Sequence, residues 1–87
     1  MVAGYVDSSG TPISITSGVT VEHIGGGQYE IAVRPGTFTS TAVAVYTPIN
    51  SGARFTVASV GGNGTTTFQV AFFNNIDTPF SFIIMQP

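Results

Sequence analysis

An internal repeat of a strand–hairpin–strand unit most constrains what this chain can fold into. Residues 19–26 (VTVEHIGG) are echoed by residues 55–62 (FTVASVGG), and residues 29–33 (YEIAV) are echoed by residues 68–72 (FQVAF). The offset grows from 36 to 39 residues because the second turn is three residues longer. Alternating apolar positions around glycine-rich turns are typical of β-hairpins. The repeat therefore predicts an all-β chain of short antiparallel strands.

The same signals extend along the whole chain, and no window keeps a 3.6-residue apolar period long enough for a helix. Turn residues separate short apolar runs every eight to twelve residues, as in sandwiches and barrels. The sequence predicts one domain, residues 1–87, folded as a small antiparallel β-sandwich or jelly roll of seven or eight strands. The predicted strands are residues 2–6, 13–16, 19–24, 28–33, 42–47, 54–60, 66–73 and 80–85.

The small size of the chain raises the question of what stabilises it. A chain of 87 residues buries a modest fraction of its surface. There is no cysteine, so neither a disulfide nor a cysteine-based zinc site can compensate. Oligomerisation is the remaining common way to stabilise such a domain.

Charged residues are unusually scarce. They make up 7% of the chain, against about 25% in ordinary globular domains, and lysine is absent. Two arginines cannot form the basic surface that nucleic acid or an anionic membrane attracts. No apolar run has the length of a transmembrane helix, and no secretory signal peptide is visible. We expect no nucleic-acid partner and no membrane insertion, and an extracellular or virion-associated location.

Period-two alternation assigns each strand a core face and an opposite face. The predicted core residues are Tyr29, Ile31, Val33, Val43, Val45, Phe55, Val57, Phe68, Val70, Phe72, Phe80, Phe82 and Ile84. Several opposite faces are also apolar, which usually marks an interface. The predicted oligomer interface consists of Ala42, Ala44, Ala71, Phe73, Ile83 and Met85. The alternative is a closed sandwich whose own loops cover these faces.

Catalytic chemistry finds little support in the residue types. His23 is the only histidine, and no G-x-S-x-G motif accompanies it. Glu22 and Glu30 lie on adjacent hairpin strands and could face each other, but a solvated polar face explains them. The glycine-rich turns lead into no helix and lack the Lys-Ser/Thr of a phosphate loop. We expect no enzyme activity, no metal site and no cofactor.

Recognition is expected on the loops and on exposed aromatic and amide side chains. The predicted ligand-binding residues are Tyr5, Tyr46, Arg54, Asn74 and Asn75. The predicted contact loops are residues 34–41, 47–53 and 74–78.

A family resemblance is carried by three segments of the chain. They are residues 18–21 (GVTV), residues 25–33 (GGGQYEIAV) and residues 77–84 (DTPFSFII). The chain resembles the C-terminal modules of phage and tailocin tail fibres, and more widely the trimeric jelly-roll heads of the C1q/TNF-like group. The resemblance implies a homotrimer that caps a fibre and contacts host-surface glycans or proteins.

The sequence thus predicts a non-enzymatic homotrimeric structural and recognition module, such as a viral or fibre-tip domain that binds a cell-surface glycan or protein. Two alternatives stay open. One is a monomeric carbohydrate-binding module. The other is a purely structural capsid or assembly cap without a ligand.

Overall fold

The computed structural model describes residues 1–49 and 57–87, and in these ranges the chain forms eight β-strands and one short 3₁₀ turn. The strands form two four-stranded antiparallel sheets that pack together as a β-sandwich, which confirms the predicted fold class. The elements are β1 Val2–Val6, β2 Pro12–Ile15, β3 Thr20–Gly25, β4 Gln28–Ala32, β5 Val43–Pro48, β6 Val57–Gly62, β7 Thr67–Phe72, the turn Phe73–Asn75 and β8 Phe80–Met85.

The two sheets take their strands from different parts of the repeat. The first sheet has the order β2-β1-β8-β5, and the second has the order β3-β4-β7-β6. The two repeated hairpins therefore lie side by side in the second sheet, joined through β4 and β7. The strands that follow them, β5 and β8, pair with each other in the first sheet. Exchanging the two halves of the repeat preserves this strand order, but the two hairpins differ in register, since Val21 pairs with Ile31 whereas Val57 pairs with Phe72.

Inward side chains from both sheets form one apolar core. Tyr29 and Ile31 on β4 meet Phe68, Val70 and Phe72 on β7 at this interface, and all five are buried. The fully buried members of β8 are Phe80 and Ile84, with Phe82 nearly so. Aromatic rings pack edge-on or tilted within this core, as between Phe72 and Phe80 with centroids 5.3 Å apart. These face predictions are confirmed.

The predicted facing of β5 is wrong, and its register shows why. Ala44 lies opposite Ile84, and Tyr46 lies opposite Phe82. Directly opposite residues in an antiparallel pair share a face, so Ala44 and Tyr46 point inward with β8's buried residues. Val43 and Val45 consequently point outward and are 49% and 59% exposed.

Ala42, the residue just before β5, also faces inward and is buried. Both faces of the segment are apolar, so alternation alone could not choose between two valines and two alanines with a tyrosine. The predicted start of β6 and the core residue Phe55 lie outside the described residues. Val57 packs against the core as expected.

Two polar side chains fix the turns at opposite ends of the sandwich. After β1, the Asp7 carboxylate accepts hydrogen bonds from the Ser9 hydroxyl at 2.6 Å and from the backbone N–H groups of Ser9 and Thr11 at 2.9 Å. These bonds, the Ser9 hydroxyl first, hold the pKa of Asp7 below its usual value. Between β6 and β7, the Asn63 side-chain oxygen accepts the N–H groups of Thr65, Thr66 and Thr67.

Candidate interaction surface

The outer side of the first sheet carries a contiguous apolar surface. In the β1-β8-β5 register, Ala3 lies opposite Ile83, which lies opposite Val45, and Met85 lies opposite Val43. These five residues are called the apolar face below. Val45 is 59% exposed, and Val43, Met85 and Ile83 are each nearly half exposed. Adjacent exposed aliphatic side chains in flat rows differ from the scattered apolar residues of an ordinary surface.

A row of neutral polar groups borders the apolar face. In this row Tyr5 lies between Ser14 and Ser81, and Ser81 lies opposite Thr47. None of the residues in β1, β2, β5 and β8 is acidic or basic. The outer side of this sheet therefore presents hydroxyl and aliphatic groups with no charge to keep a partner away or to attract an ionic one.

The outer side of the second sheet is different in character. Glu22 lies opposite Glu30 across the β3–β4 pair, as the sequence suggested, and Glu30 lies opposite Gln69. The Gln69 amide donates a 2.8 Å hydrogen bond to the Glu30 carboxylate. Ile24 and Val60, on the two edge strands of this sheet, are exposed apolar side chains, and they line one shallow cavity together with polar Gln28 and Gln69. The sandwich is thus two-sided, with an uncharged side and a polar, acidic side.

The predicted interface residues divide between these surfaces. Ile83 and Met85 lie on the apolar face as predicted. Ala42 and Ala44 do not lie on any outer face, because the β5 register turns them toward the core. Ala71 is on the outer side of the second sheet, opposite Gln28, and Phe73 is exposed in the 3₁₀ turn. The structure does not bring the six residues together.

Val43 and Val45 are the members of this surface that sequence reasoning missed. Period-two alternation places both in the predicted core, because they share one face of an apolar strand. The signal that could have corrected the assignment is Tyr46, whose large ring fills more of the core than either valine. Its ring packs edge-on to Phe80 with centroids 6.1 Å apart.

The predicted ligand-binding residues are also separated. Tyr5 lies on the outer side of the first sheet. Asn74 and Asn75 lie in the turn after β7, where both adopt positive φ angles of 60° and 55°. Arg54 lies outside the described residues. These side chains form no common patch among the residues that the structure describes.

Tyr46 was expected to be exposed, and it is instead packed against the core. Its hydroxyl is buried and has no hydrogen-bond partner among the described residues. Burial raises the pKa of Tyr46 to about 12, because the phenolate would be poorly solvated there.

One polar cluster joins loops that are distant in sequence. The Nε2 atom of His23 lies 2.8 Å from an Asp77 carboxylate oxygen, and the same oxygen accepts the Gly27 N–H at 2.8 Å. The His23 ring stacks on Tyr29 with centroids 4.9 Å apart. The Tyr29 hydroxyl donates to the Ser8 carbonyl at 2.6 Å and accepts the Thr78 N–H at 3.1 Å.

This cluster ties the β3–β4 hairpin to the β7–β8 loop. The Gly27 N–H, followed by the His23 hydrogen bond and charge, holds the pKa of Asp77 below its usual value. Burial raises the pKa of Tyr29. Among the described residues no serine or threonine hydroxyl hydrogen bonds to His23, whose side-chain partner is Asp77. The geometry is that of a structural clamp.

The part of the chain that the structure describes holds no group of three or more His, Asp or Glu side chains that could bind a metal ion. In the same ranges, no helix is long and apolar enough to cross a membrane. No family model, no curated protein and no solved structure matches this chain.

Proposed function

We propose that the protein is a non-enzymatic structural module that assembles with copies of itself through the apolar face. The observation that carries the proposal is the row arrangement of Val43, Val45, Ile83 and Met85 on a sheet side without any charged residue. The side of a sheet that faces solvent normally carries polar residues. This side keeps aliphatic residues where the fold does not need them, which supports an interface.

The size of the driving force follows from the exposed fractions. Fully burying a Val, Ile or Met side chain contributes about 1.5–3 kcal/mol, so covering the exposed half contributes about 1 kcal/mol each. Four such side chains give about 4 kcal/mol per chain, or about 8 kcal/mol for two chains. Association itself costs about 4–15 kcal/mol in lost freedom of motion. Full coverage of all four side chains reaches only the lower half of that range, so the apolar face contributes to association and the interface must contain other contacts as well.

A second copy of the chain fits this surface better than a partner of another kind. The face has no charge with which to select an acidic or basic partner, and its hydroxyl-bordered aliphatic rows are complementary to themselves. A small domain without disulfides also gains stability when a copy covers its exposed apolar area. Self-association thus serves both assembly and folding.

The tail-fibre resemblance would add a trimeric state and recognition of a host-surface glycan or protein. Both stay predictions. Tyr5, Asn74 and Asn75 are the described members of the predicted ligand set that remain accessible, and they lie on different parts of the sandwich. We therefore place the proposal on assembly and assign no ligand.

A pair of matched charge substitutions tests the proposal. Val45→Asp places one carboxylate in the middle of the apolar face, and Ala71→Asp places one on the outer side of the second sheet. Sedimentation equilibrium should show that Val45→Asp weakens self-association by at least about tenfold while Ala71→Asp does not, since covering an unpaired charge costs more than about 1.4 kcal/mol. Circular dichroism checks that both variants keep their strands. If both variants self-associate as strongly as the parent chain does, the proposal is overturned.

A further inference from the structure

The backbone N–H and C=O groups of β5 point alternately toward β8 and away from it. The Ile49 N–H donates to the Pro79 carbonyl at 2.7 Å, which continues the β5–β8 register as a hydrogen-bonded pair. Hydrogen-bonded pairs alternate along an antiparallel ladder, so Val43, Val45 and Thr47 also direct their backbone groups toward β8. Ala44 and Tyr46 therefore direct their N–H and C=O groups away from β8. Among the described residues no strand lies beside them.

The two ends of this free edge are already closed. The Ala42 N–H, which points away from β8 by the same alternation, donates to the Gly64 carbonyl at 2.7 Å. Pro48 has no N–H to offer. The open part of the edge is thus short and centred on Val45, between Ala44 and Tyr46.

β5 also differs from the other edge strands. The pairings of β2, β3 and β6 each contain a register shift, whereas the β5–β8 pairing contains none over the described residues. Bulges, charges and prolines are the usual devices that protect an edge strand from pairing with another chain. β5 has no bulge and no charge, and its one proline, Pro48, stands at the end of the strand.

The strand order of the repeat points to the same place. Exchanging the two halves of the repeat exchanges β5 with β8, and β8 is paired on its other side with β1 over the full length of Val2–Val6. The corresponding position, beside β5, has no strand among the described residues. The open part of this edge can therefore pair with a short antiparallel segment centred on Val45.

We propose that a second copy of the chain fills this position with its own β5, antiparallel, so that the two first sheets join into one continuous sheet. Ala44 pairs with the partner subunit's Tyr46, and Tyr46 pairs with the partner subunit's Ala44. Val45 then faces the partner subunit's Val45 across the twofold axis. The inference rests on the proposed self-assembly and names its interface.

The chemistry of the edge favours this occupant. The pairing uses the outward N–H and C=O groups of Ala44 and Tyr46 on both chains and leaves no donor unpaired, because Ala42 is satisfied by Gly64 and Pro48 has no N–H. It also brings the two Val45 side chains together on the outer side of the joined sheet, so that each covers part of the other, while Ile83 and Met85 on β8 stay exposed. Since the interface is twofold and self-complementary, it produces a dimer rather than a trimer.

Single cysteine variants test the register, because the chain contains no cysteine of its own. In the proposed pairing the two residues at position 45 have Cβ atoms about 4.5–5.5 Å apart, close to disulfide geometry. The two residues at position 43 lie about 13 Å apart along the strands. The two residues at position 83 are separated by three strand spacings, about 14 Å. All three side chains are exposed, so the variants Val45→Cys, Val43→Cys and Ile83→Cys should keep the fold.

Under mild oxidation, Val45→Cys should form the covalent dimer at least about tenfold faster than the other two variants, because association holds its thiols together at high effective concentration. Fast cross-linking of Ile83→Cys would indicate faces stacked on each other and would overturn the edge pairing while leaving self-assembly intact. Equal rates for Val43→Cys and Val45→Cys would overturn the register. If none of the three variants cross-links, the mass of the parent chain decides between two outcomes. An oligomeric parent chain would overturn the edge pairing alone, and a monomeric parent chain would overturn the proposed self-assembly as well.

Discussion

Removing one hydroxyl from each of two core tyrosines should change stability in opposite directions. Tyr29→Phe deletes the hydroxyl that bridges Ser8 and Thr78. Thr78 is fully buried, so its N–H is left without a partner, whereas exposed Ser8 can bond to water. Two lost hydrogen bonds cost about 1 kcal/mol each, and the stranded N–H costs about 1–3 kcal/mol more. We expect a loss of about 3 kcal/mol.

Tyr46→Phe makes the same chemical change where the hydroxyl is buried and has no hydrogen-bond partner among the described residues. No hydrogen bond to those residues is lost, and an unfavourable desolvated group is removed. We expect a gain of about 1 kcal/mol. The pKa of Tyr46, raised to about 12 by burial, adds a second signature. The unfolded chain ionises near pH 10 while the folded chain keeps its proton, so stability should fall as the pH rises from about 10 to 12. Tyr46→Phe should reduce this fall.

Thermal and urea unfolding followed by circular dichroism measure both effects at a fixed protein concentration, since self-association adds to apparent stability. For a domain of this size, 1 kcal/mol corresponds to about 4–8 °C in Tm. Tyr29→Phe should therefore lower Tm by on the order of 15 °C, and Tyr46→Phe should raise it by about 5 °C. A loss of stability in Tyr46→Phe as large as that in Tyr29→Phe would refute the hydrogen-bond assignment.

Three further predictions concern the turns and the acid limb of stability. The pKa of Asp77 is lower in the folded chain than in the unfolded chain, so the stability that Asp77 contributes is present above the unfolded pKa and is lost as the pH falls through the folded pKa. Below about pH 4, acid titration of Asp77→Asn should therefore show a shallower loss of stability than that of the parent chain. Asn63→Ala leaves three turn N–H groups without their acceptor and should cost about 1–2 kcal/mol in urea unfolding, whereas Asn63→Asp, which keeps the acceptor, should cost less. Gly62 has φ 109°, and a Cβ added there would overlap the Thr67 carbonyl, whereas a Cβ added at Gly61 would have its nearest atom 3.7 Å away. Gly62→Ala should therefore lower Tm far more than Gly61→Ala. Equal shifts in Tm would contradict this account.

The strand plan could be read from the sequence where turn residues bound each apolar run. β1 and β8 have the predicted limits because Asp7 and Pro79 stop the ladders beside them. The repeat also predicted two equivalent hairpins, and these form the second sheet. Short-range alternation was sufficient for these elements because each has one clearly apolar face.

β5 shows where the same reasoning stops. Its two faces are both apolar, so the direction of Val43 and Val45 depends on pairing with β8, which lies almost forty residues later in the chain. The His23–Asp77 contact was also beyond prediction, since it depends on the conformation of a loop 54 residues away. The apolar face could be anticipated only in part, through Ile83 and Met85.

The most direct test of the account is the solution mass of the unmodified chain, measured by light scattering over a range of concentrations. The edge pairing predicts a mass that rises with concentration toward about twice the 9.0 kDa of one chain. A mass that approaches three chains would keep self-assembly and contradict the twofold interface. A constant 9.0 kDa at every concentration would contradict the central claim that the apolar face is an assembly surface.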